Sequence, residues 1–126
     1  MAMAYLVFNT ALYIGLALWS TAAPERVGRL VGLAFATPSG KSEFLTVYGG
    51  LEFGAGLFFA AAAAKPELRQ AGLLFGLLFY AGLVAWRIPS LLIIKDISRP
   101  TYILATTEAL LFAASLALWL ARGRAV

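Results

Sequence analysis

Four polar side chains interrupt otherwise apolar stretches of this sequence: Asn9, Glu52, Arg87 and Glu108. An ionised side chain in the middle of a membrane helix costs at least about 2.5–3.5 kcal/mol, so such residues are normally paired or solvated. Arginine and glutamate can form a bidentate ion pair, whereas a glutamate without such a partner can bind a cation or a hydrogen-bond donor. These four residues are therefore the first candidates for a functional site.

The composition indicates that these residues lie in a membrane protein. Hydrophobic residues make up 62% of the 126 residues and charged residues only 13%, whereas soluble domains carry about 25% charged residues. The apolar residues form long blocks and not the short alternations of an outer-membrane barrel. A soluble enzyme and a porin-like barrel are both excluded.

The sequence contains no cysteine and no histidine, which excludes disulfides, thiol chemistry and nearly all zinc or copper sites. We predict no metal site, no cofactor and no catalytic residue. The net charge is +4, but the basic residues stand at the ends of the apolar blocks, as is typical of membrane spans. The expected binding partners are membrane lipids, and we expect no binding to nucleic acid.

Four apolar blocks are long enough to cross a membrane, which takes about 20 helical residues. They cover residues 4–20, 44–64, 71–94 and 101–121, and short links at 65–70 and 95–100 join the last three. Short links require antiparallel neighbours. The predicted fold is therefore an all-α integral membrane protein, an antiparallel bundle of four transmembrane helices in a single domain over residues 1–126.

The longer first connection predicts a short amphipathic helix over residues 25–35, which follows Pro24 and lies in the membrane interface. Its apolar positions recur at helical spacing, and we expect them to face the lipid: Val27, Leu30, Val31 and Ala34. Arg26 and Arg29 would face water, and a turn at 37–40 would close the segment. An irregular loop is the alternative.

The depth of each charged residue in the membrane and its angular position on its helix predict that these residues meet. Glu52, Arg87 and Glu108 each lie roughly 10–14 Å from the membrane face that carries the first and third connections. Each also belongs to the one polar stripe of its helix, and four such stripes must face one another. We therefore predict a central cluster in which Arg87 contacts both carboxylates. The neutral neighbours on these stripes are Tyr13, Tyr48 and Tyr80, with Asn9 nearer the opposite surface.

This cluster has two interpretations. Arg87 could clamp three helices together, which gives the bundle a single register. Alternatively, two carboxylates that share one arginine leave an excess negative charge, which a cationic or hydrogen-bond-donating ligand would satisfy. Small residues at Gly49 and Gly56, together with a kink or break at Pro89, predict a cavity beside the cluster.

Glycines mark the expected helix contacts. Gly72 and Gly76 form a Gly-x-x-x-Gly pair on the Arg87 stripe, where they would let a neighbouring backbone approach. Gly50 and Gly54 form a second pair, which points away from the cluster towards the first helix, the amphipathic segment or another protomer. We expect both pairs to pack within one protomer.

Several of these residues, taken together, resemble a known family. The Tyr48-Gly49-Gly50 element, Arg87 late in the third span and Glu108 in the fourth resemble the proteins of domain of unknown function 4345, over about residues 24–120. That family comprises small bacterial four-helix membrane proteins, similar in outline to the DoxX-like proteins. The family pattern usually has an arginine a few residues before Tyr-Gly-Gly and a neutral polar residue after it, whereas this chain has the acidic Glu52. The resemblance thus implies a fold, without an activity and without a family-wide role for an acidic pair.

Three functional hypotheses follow, of which the third is an intramembrane enzyme. The first is a binding or transport protein whose pocket receives a small amphiphile, a lipid headgroup or a cation. The second is an accessory or assembly subunit in which the cluster is a clamp and the outer surface meets a second copy or a membrane partner protein. The sequence lacks histidine, cysteine and a phosphate-binding loop, which argues against the enzyme. The cluster could at most do acid–base chemistry.

Charge counts favour neither orientation strongly. The face with the first and third connections carries Arg26, Arg29, Lys41, Lys95 and Arg99, and the other carries Lys65, Arg69, Arg122, Arg124 and the terminal amine. Basic residues concentrate on the cytoplasmic side of membrane proteins, and this near balance does not decide the side. The resemblance implies the bacterial cytoplasmic membrane, with both termini in the cytoplasm.

Overall fold

The computed structural model describes residues 1–122, which contain helices and no strand. The helices are α1 (Ala2–Ala22), α2 (Pro24–Leu30), α3 (Pro38–Phe44), α4 (Glu52–Ala64), α5 (Arg69–Ile93) and α6 (Arg99–Ala121). A π-helix, Leu45–Leu51, joins α3 to α4, and a 3-10 turn, Pro66–Leu68, precedes α5. The end of the predicted domain, 123–126, with Arg124, lies outside the described residues.

Four segments are long and apolar enough to cross a membrane: Ala2–Ala22, Pro38–Ala64, Pro66–Ile93 and Arg99–Ala121. This confirms the prediction of an all-α membrane protein with four spans. The closest packing joins α1 to α4 and α5 to α6, whereas α4 and α6 hardly touch. Helices α4 and α6 are therefore the diagonal pair of the bundle.

The second span begins six residues earlier than the sequence predicts, because a capped helix replaces the expected turn. The Thr37 hydroxyl accepts a hydrogen bond from the Gly40 amide at 3.1 Å. Pro38 occupies the first helical position, where its missing amide hydrogen is not needed. Threonine followed by proline can open a turn or a helix, and here it opens α3.

The first connection contains the predicted helix, but α2 ends at Leu30 and not at residue 35. Gly32 has φ +79°, a left-handed conformation that favours glycine. The Gly32 amide donates to the Arg29 carbonyl and the Leu33 amide donates to the Gly28 carbonyl, at 3.2 and 2.8 Å. These two bonds form a Schellman motif, which ends the helix. Ala34 consequently lies outside α2.

The core is rich in aromatic side chains and lies between α1, α4 and α5. Phe59 is completely buried and stacks on Tyr13 with ring centroids 6.0 Å apart. Tyr13 also contacts Phe79 edge to face at 5.4 Å, an arrangement that aromatic pairs favour. Helix α6 contributes only Ser115 to the fully buried residues, so it is the helix most exposed to lipid.

Helix α5 continues through Pro89 to Ile93, so of the kink or break predicted at this residue the break does not occur, and the kink stays a prediction. Proline removes the hydrogen bond to the carbonyl of Ala85. At the next residue the Ser90 hydroxyl donates to the Arg87 carbonyl at 2.8 Å. Serine side chains that bond to the backbone are one reason why membrane helices tolerate proline.

Candidate functional site

Arg87 and Glu108 form a bidentate ion pair that connects α5 to α6. The Arg87 Nε donates to Glu108 Oε2 at 2.8 Å, and Nη2 donates to Oε1 at 2.7 Å. The exposed fractions of the two side chains are 29% and 13%, in a molecule whose spans would be surrounded by lipid. The planar guanidinium matches both carboxylate oxygens at once, so the two charges compensate each other.

Glu52 does not bond directly to Arg87, although the sequence predicts a contact either direct or through one water; the contact through water stays a prediction. Glu52 begins α4, and among residues 1–122 it makes no ion pair. Within the same residues its Oε2 atom is buried and has no hydrogen-bond partner. Arg87 directs both of its bonds to Glu108 on α6, because α6 packs more closely against α5 than α4 does.

The π-helix that precedes Glu52 is a feature that the sequence analysis missed. It covers Leu45–Leu51 and contains the Tyr-Gly-Gly element. Tyr48 stacks on Phe44 with ring centroids 4.5 Å apart, and a Cβ added at Gly49 would lie 3.0 Å from the Thr21 hydroxyl of α1. The only sequence signal is the pair of adjacent glycines. Short π-helical segments occur frequently at functional sites.

A second polar group, formed by Asn9, Tyr80 and Tyr5, lies deeper in the bundle. Asn9 and Tyr80 are completely or almost completely buried. The Tyr80 hydroxyl donates to Asn9 Oδ1, and Asn9 Nδ2 donates to the Tyr5 carbonyl at 2.8 Å. The Tyr5 hydroxyl is buried without a hydrogen-bond partner. Tyr5 is not among the site residues that the sequence predicts.

Tyr13 belongs to the aromatic core beside the buried polar group. Its ring centroid is 6.4 Å from that of Tyr80 and 5.4 Å from that of Phe79. Tyr48, in the π-helix, stacks on Phe44. Of the seven predicted site residues, Asn9, Tyr13 and Tyr80 are buried and the other four are partly buried. They form an ion pair, a carboxylate unpaired within residues 1–122 and a buried hydrogen-bonded group, and not one cluster.

The Tyr80→Phe change tests the buried group. We expect it to lower the free energy of unfolding by about 1–3 kcal/mol, because it leaves the amide oxygen of Asn9 buried without a donor. Reversible unfolding in mixed detergent micelles, followed by far-UV circular dichroism, measures this loss. The matched control is Tyr102→Phe on the exposed side of α6. Equal losses in the two variants would contradict the assigned role of the Tyr80 hydroxyl.

Gly72 and Gly76 make the close contacts that the sequence predicts. A Cβ added at Gly72 would overlap the Cβ of Ala62 on α4 and lie 3.0 Å from a methyl group of Leu6 on α1. One added at Gly76 would lie 2.5 Å from the Tyr5 hydroxyl. Both glycines therefore set the distance between α5 and its neighbours.

Gly50 and Gly54 do not pack within the protomer, contrary to the expectation. Both are exposed, and a Cβ added at either would meet no atom within 4 Å. They lie on the outer face of the second span, so that the same Gly-x-x-x-Gly spacing serves two different surfaces in this chain.

Two surface cavities stand out in the described part of the chain, and neither is lined by Glu52, Arg87 or Glu108. One has a volume of about 520 Å³ and lies between α2 and the start of α3. The other, of about 350 Å³, lies along the outer side of α6 from Arg99 to Thr107. The cavity expected beside the charged residues stays a prediction.

Comparison with known proteins agrees with the family suggested by the sequence. No curated protein and no solved structure shows a significant match to the chain. The model of one family, described as "Domain of unknown function (DUF4345)", matches residues 1–121. This match includes the first helix, which the resemblance from the motifs alone did not reach, and it covers all four spans and every candidate site residue. The chain therefore belongs to the DUF4345 family.

Proposed function

We propose that this protein binds or transports a small amphiphile, a lipid headgroup or a cation, and that Glu52 holds the polar group of this ligand. The observation that supports the proposal is the buried, unpartnered Oε2 of Glu52. Arg87 and Glu108 already compensate each other, so Glu52 is a carboxylate without a counter-charge. Burial of such a group is costly unless a cation or a hydrogen-bond donor satisfies it.

The surroundings of Glu52 indicate the class of ligand. The stacked rings of Phe44 and Tyr48 lie in the turns that lead to Glu52. Aromatic rings provide apolar contact area and can also face a cation. The ligand would thus combine a positive or hydrogen-bond-donating head with an apolar body.

The test compares Glu52→Gln with the wild type by native mass spectrometry after gentle extraction. We expect the wild type to retain a small molecule and Glu52→Gln to lose it while remaining folded, because the amide removes the uncompensated charge. Glu67→Gln, in the exposed turn before α5, is the matched control and should retain the molecule. A wild type that carries nothing, or a Glu52→Gln variant that retains the same molecule, would contradict the proposal.

A second candidate function is that of an accessory or assembly subunit. It is favoured by the lipid-exposed surface of α6, where Ile103, Leu110 and Leu120 are each more than half exposed. In this case the Arg87–Glu108 pair holds α6 against α5, and the outer face of α6 contacts a second copy or another membrane protein. The same mass measurement would then show a protein complex and no small ligand.

The proposal places the protein in the bacterial cytoplasmic membrane with both termini in the cytoplasm. The start of α1 and the end of α6 lie on the side of the short turn Pro66–Leu68. Glu52 and the Arg87–Glu108 pair lie towards the opposite face, in the half of the bilayer that carries α2. A ligand would accordingly reach Glu52 from the outer side of the membrane.

A further inference from the structure

The cavity beside α2 lies where the chain enters and leaves the membrane. Helix α2 directly follows the first span, and α3 opens the second, so the cavity between them is at the boundary of lipid and water. Its volume is about 520 Å³, and its lining combines Glu25, Arg29 and Lys41 with the segment 33–38. Because its lining contains both charged side chains and the apolar Leu33 and Phe35, the cavity is amphipathic.

The walls of this cavity are held in place by local interactions. The Schellman motif at the end of α2 turns segment 31–36 back over the helix. Phe35 packs against Gly28, where an added Cβ would lie 3.2 Å from the ring, and its centroid is 5.0 Å from that of Phe44. The cavity is therefore formed before any ligand arrives, which lowers the entropic cost of binding.

The charges in the cavity leave one positive group available. Lys41 Nζ lies 2.5 Å from Glu25 Oε1, and this contact holds the pKa of Glu25 below its ordinary value. Glu25 is therefore ionised at neutral pH, and its contact keeps the Lys41 side chain at the cavity. Arg29 makes no ion pair in the described part of the chain. Two cations and one carboxylate give the cavity a net charge of +1.

We propose that this cavity binds the phosphodiester headgroup of an anionic phospholipid, with Arg29 as the main phosphate ligand. A guanidinium binds two phosphate oxygens at once, and the Lys41 ammonium supplies a second contact. A phosphodiester carries one negative charge, which matches the net charge of the lining. Leu33 and Phe35 would contact the first carbons of an acyl chain. This site is separate from Glu52 and does not depend on the function proposed above.

The experiment titrates the detergent-solubilised protein with phosphatidylglycerol and counts bound lipids by native mass spectrometry. We expect Arg29→Gln to weaken binding of the tightest lipid about tenfold, because it removes the bidentate, charge-assisted contact to the phosphate. The matched control is Arg26→Gln, which removes the same charge from the same helix but does not line the cavity. It should change the affinity less than about twofold. Lys41→Gln should also weaken binding, to a smaller extent than Arg29→Gln.

Three results would overturn the proposal. Equal losses in Arg26→Gln and Arg29→Gln would mean diffuse attraction to a basic surface. Binding of phosphatidylcholine as tight as that of phosphatidylglycerol would mean that the net charge of the headgroup is not recognised. Displacement of the lipid by millimolar inorganic phosphate would mean a site for a soluble anion. Failure of Glu52→Gln to affect phosphatidylglycerol binding is expected, because the two sites are distinct.

Discussion

Replacing Arg87 by glutamine is expected to lower the free energy of unfolding by about 3–5 kcal/mol, the largest effect of any single change considered for this chain. The change removes both hydrogen bonds to Glu108, at 2.8 and 2.7 Å. It leaves a carboxylate that is 13% exposed and would be surrounded by lipid. This loss measures mainly the cost of leaving the Glu108 carboxylate charged and unpaired, and not the net contribution of the ion pair to stability.

A double-mutant cycle separates these two quantities. The combination of Arg87→Gln and Glu108→Gln leaves neutral amides on both helices. It should therefore lower the free energy of unfolding by about 1–3 kcal/mol less than the sum of the two single changes. Unfolding in mixed detergent micelles measures all three variants. Arg99→Gln, an exposed residue at the start of α6, is the control and should change stability by less than about 0.5 kcal/mol. Additive single changes would contradict the bidentate pair.

The same cycle distinguishes Glu52 from Glu108. Glu52 has no contact with the guanidinium, so the effects of Glu52→Gln and Arg87→Gln should add. A clamp of three helices, one of the two interpretations of the predicted cluster, would instead couple all three residues. The structure thus separates the Arg87–Glu108 ion pair from Glu52, which makes no ion pair within residues 1–122, and each can be altered without the other.

The four spans could be predicted from the sequence because length and apolarity are local properties of each segment. The meeting of Arg87 with Glu108 was also predictable, since depth and rotation place both on facing stripes of consecutive helices. The absence of a direct bond between Glu52 and Arg87 could not be predicted, because it depends on which helices pack most closely against each other. Periodicity shows which face of a helix is inside, but not which of the other three helices that face meets.

The segment between the first two spans shows the limits of local signals. Thr37 and Pro38 are found both in turns and at the start of helices, and only the bond from the Gly40 amide to the Thr37 hydroxyl decides for the helix. The end of α2 depends similarly on the left-handed conformation of Gly32. No periodic pattern signals the π-helix Leu45–Leu51, which continues an apolar block without interruption.

Replacing Gly72 by alanine is expected to destabilise the protein by about 1–3 kcal/mol, the typical cost of adding a methyl group to a packed interior. The new Cβ would overlap the Cβ of Ala62 and crowd Leu6. Both atoms belong to other helices, so α5 would have to move away from α1 and α4. Unfolding in mixed micelles measures the loss.

Gly54→Ala is the matched control, because Gly54 belongs to the other Gly-x-x-x-Gly pair. Nothing lies within 4 Å of a Cβ at this position, and alanine favours a helix by roughly 0.5–1 kcal/mol over glycine. We expect a protomer that is equally or slightly more stable. Equal destabilisation by both changes would contradict the packing of α5 described above. If Gly54→Ala instead left the protomer stable but reduced its association with a second copy, the open glycine face would be the surface that the accessory-subunit function requires.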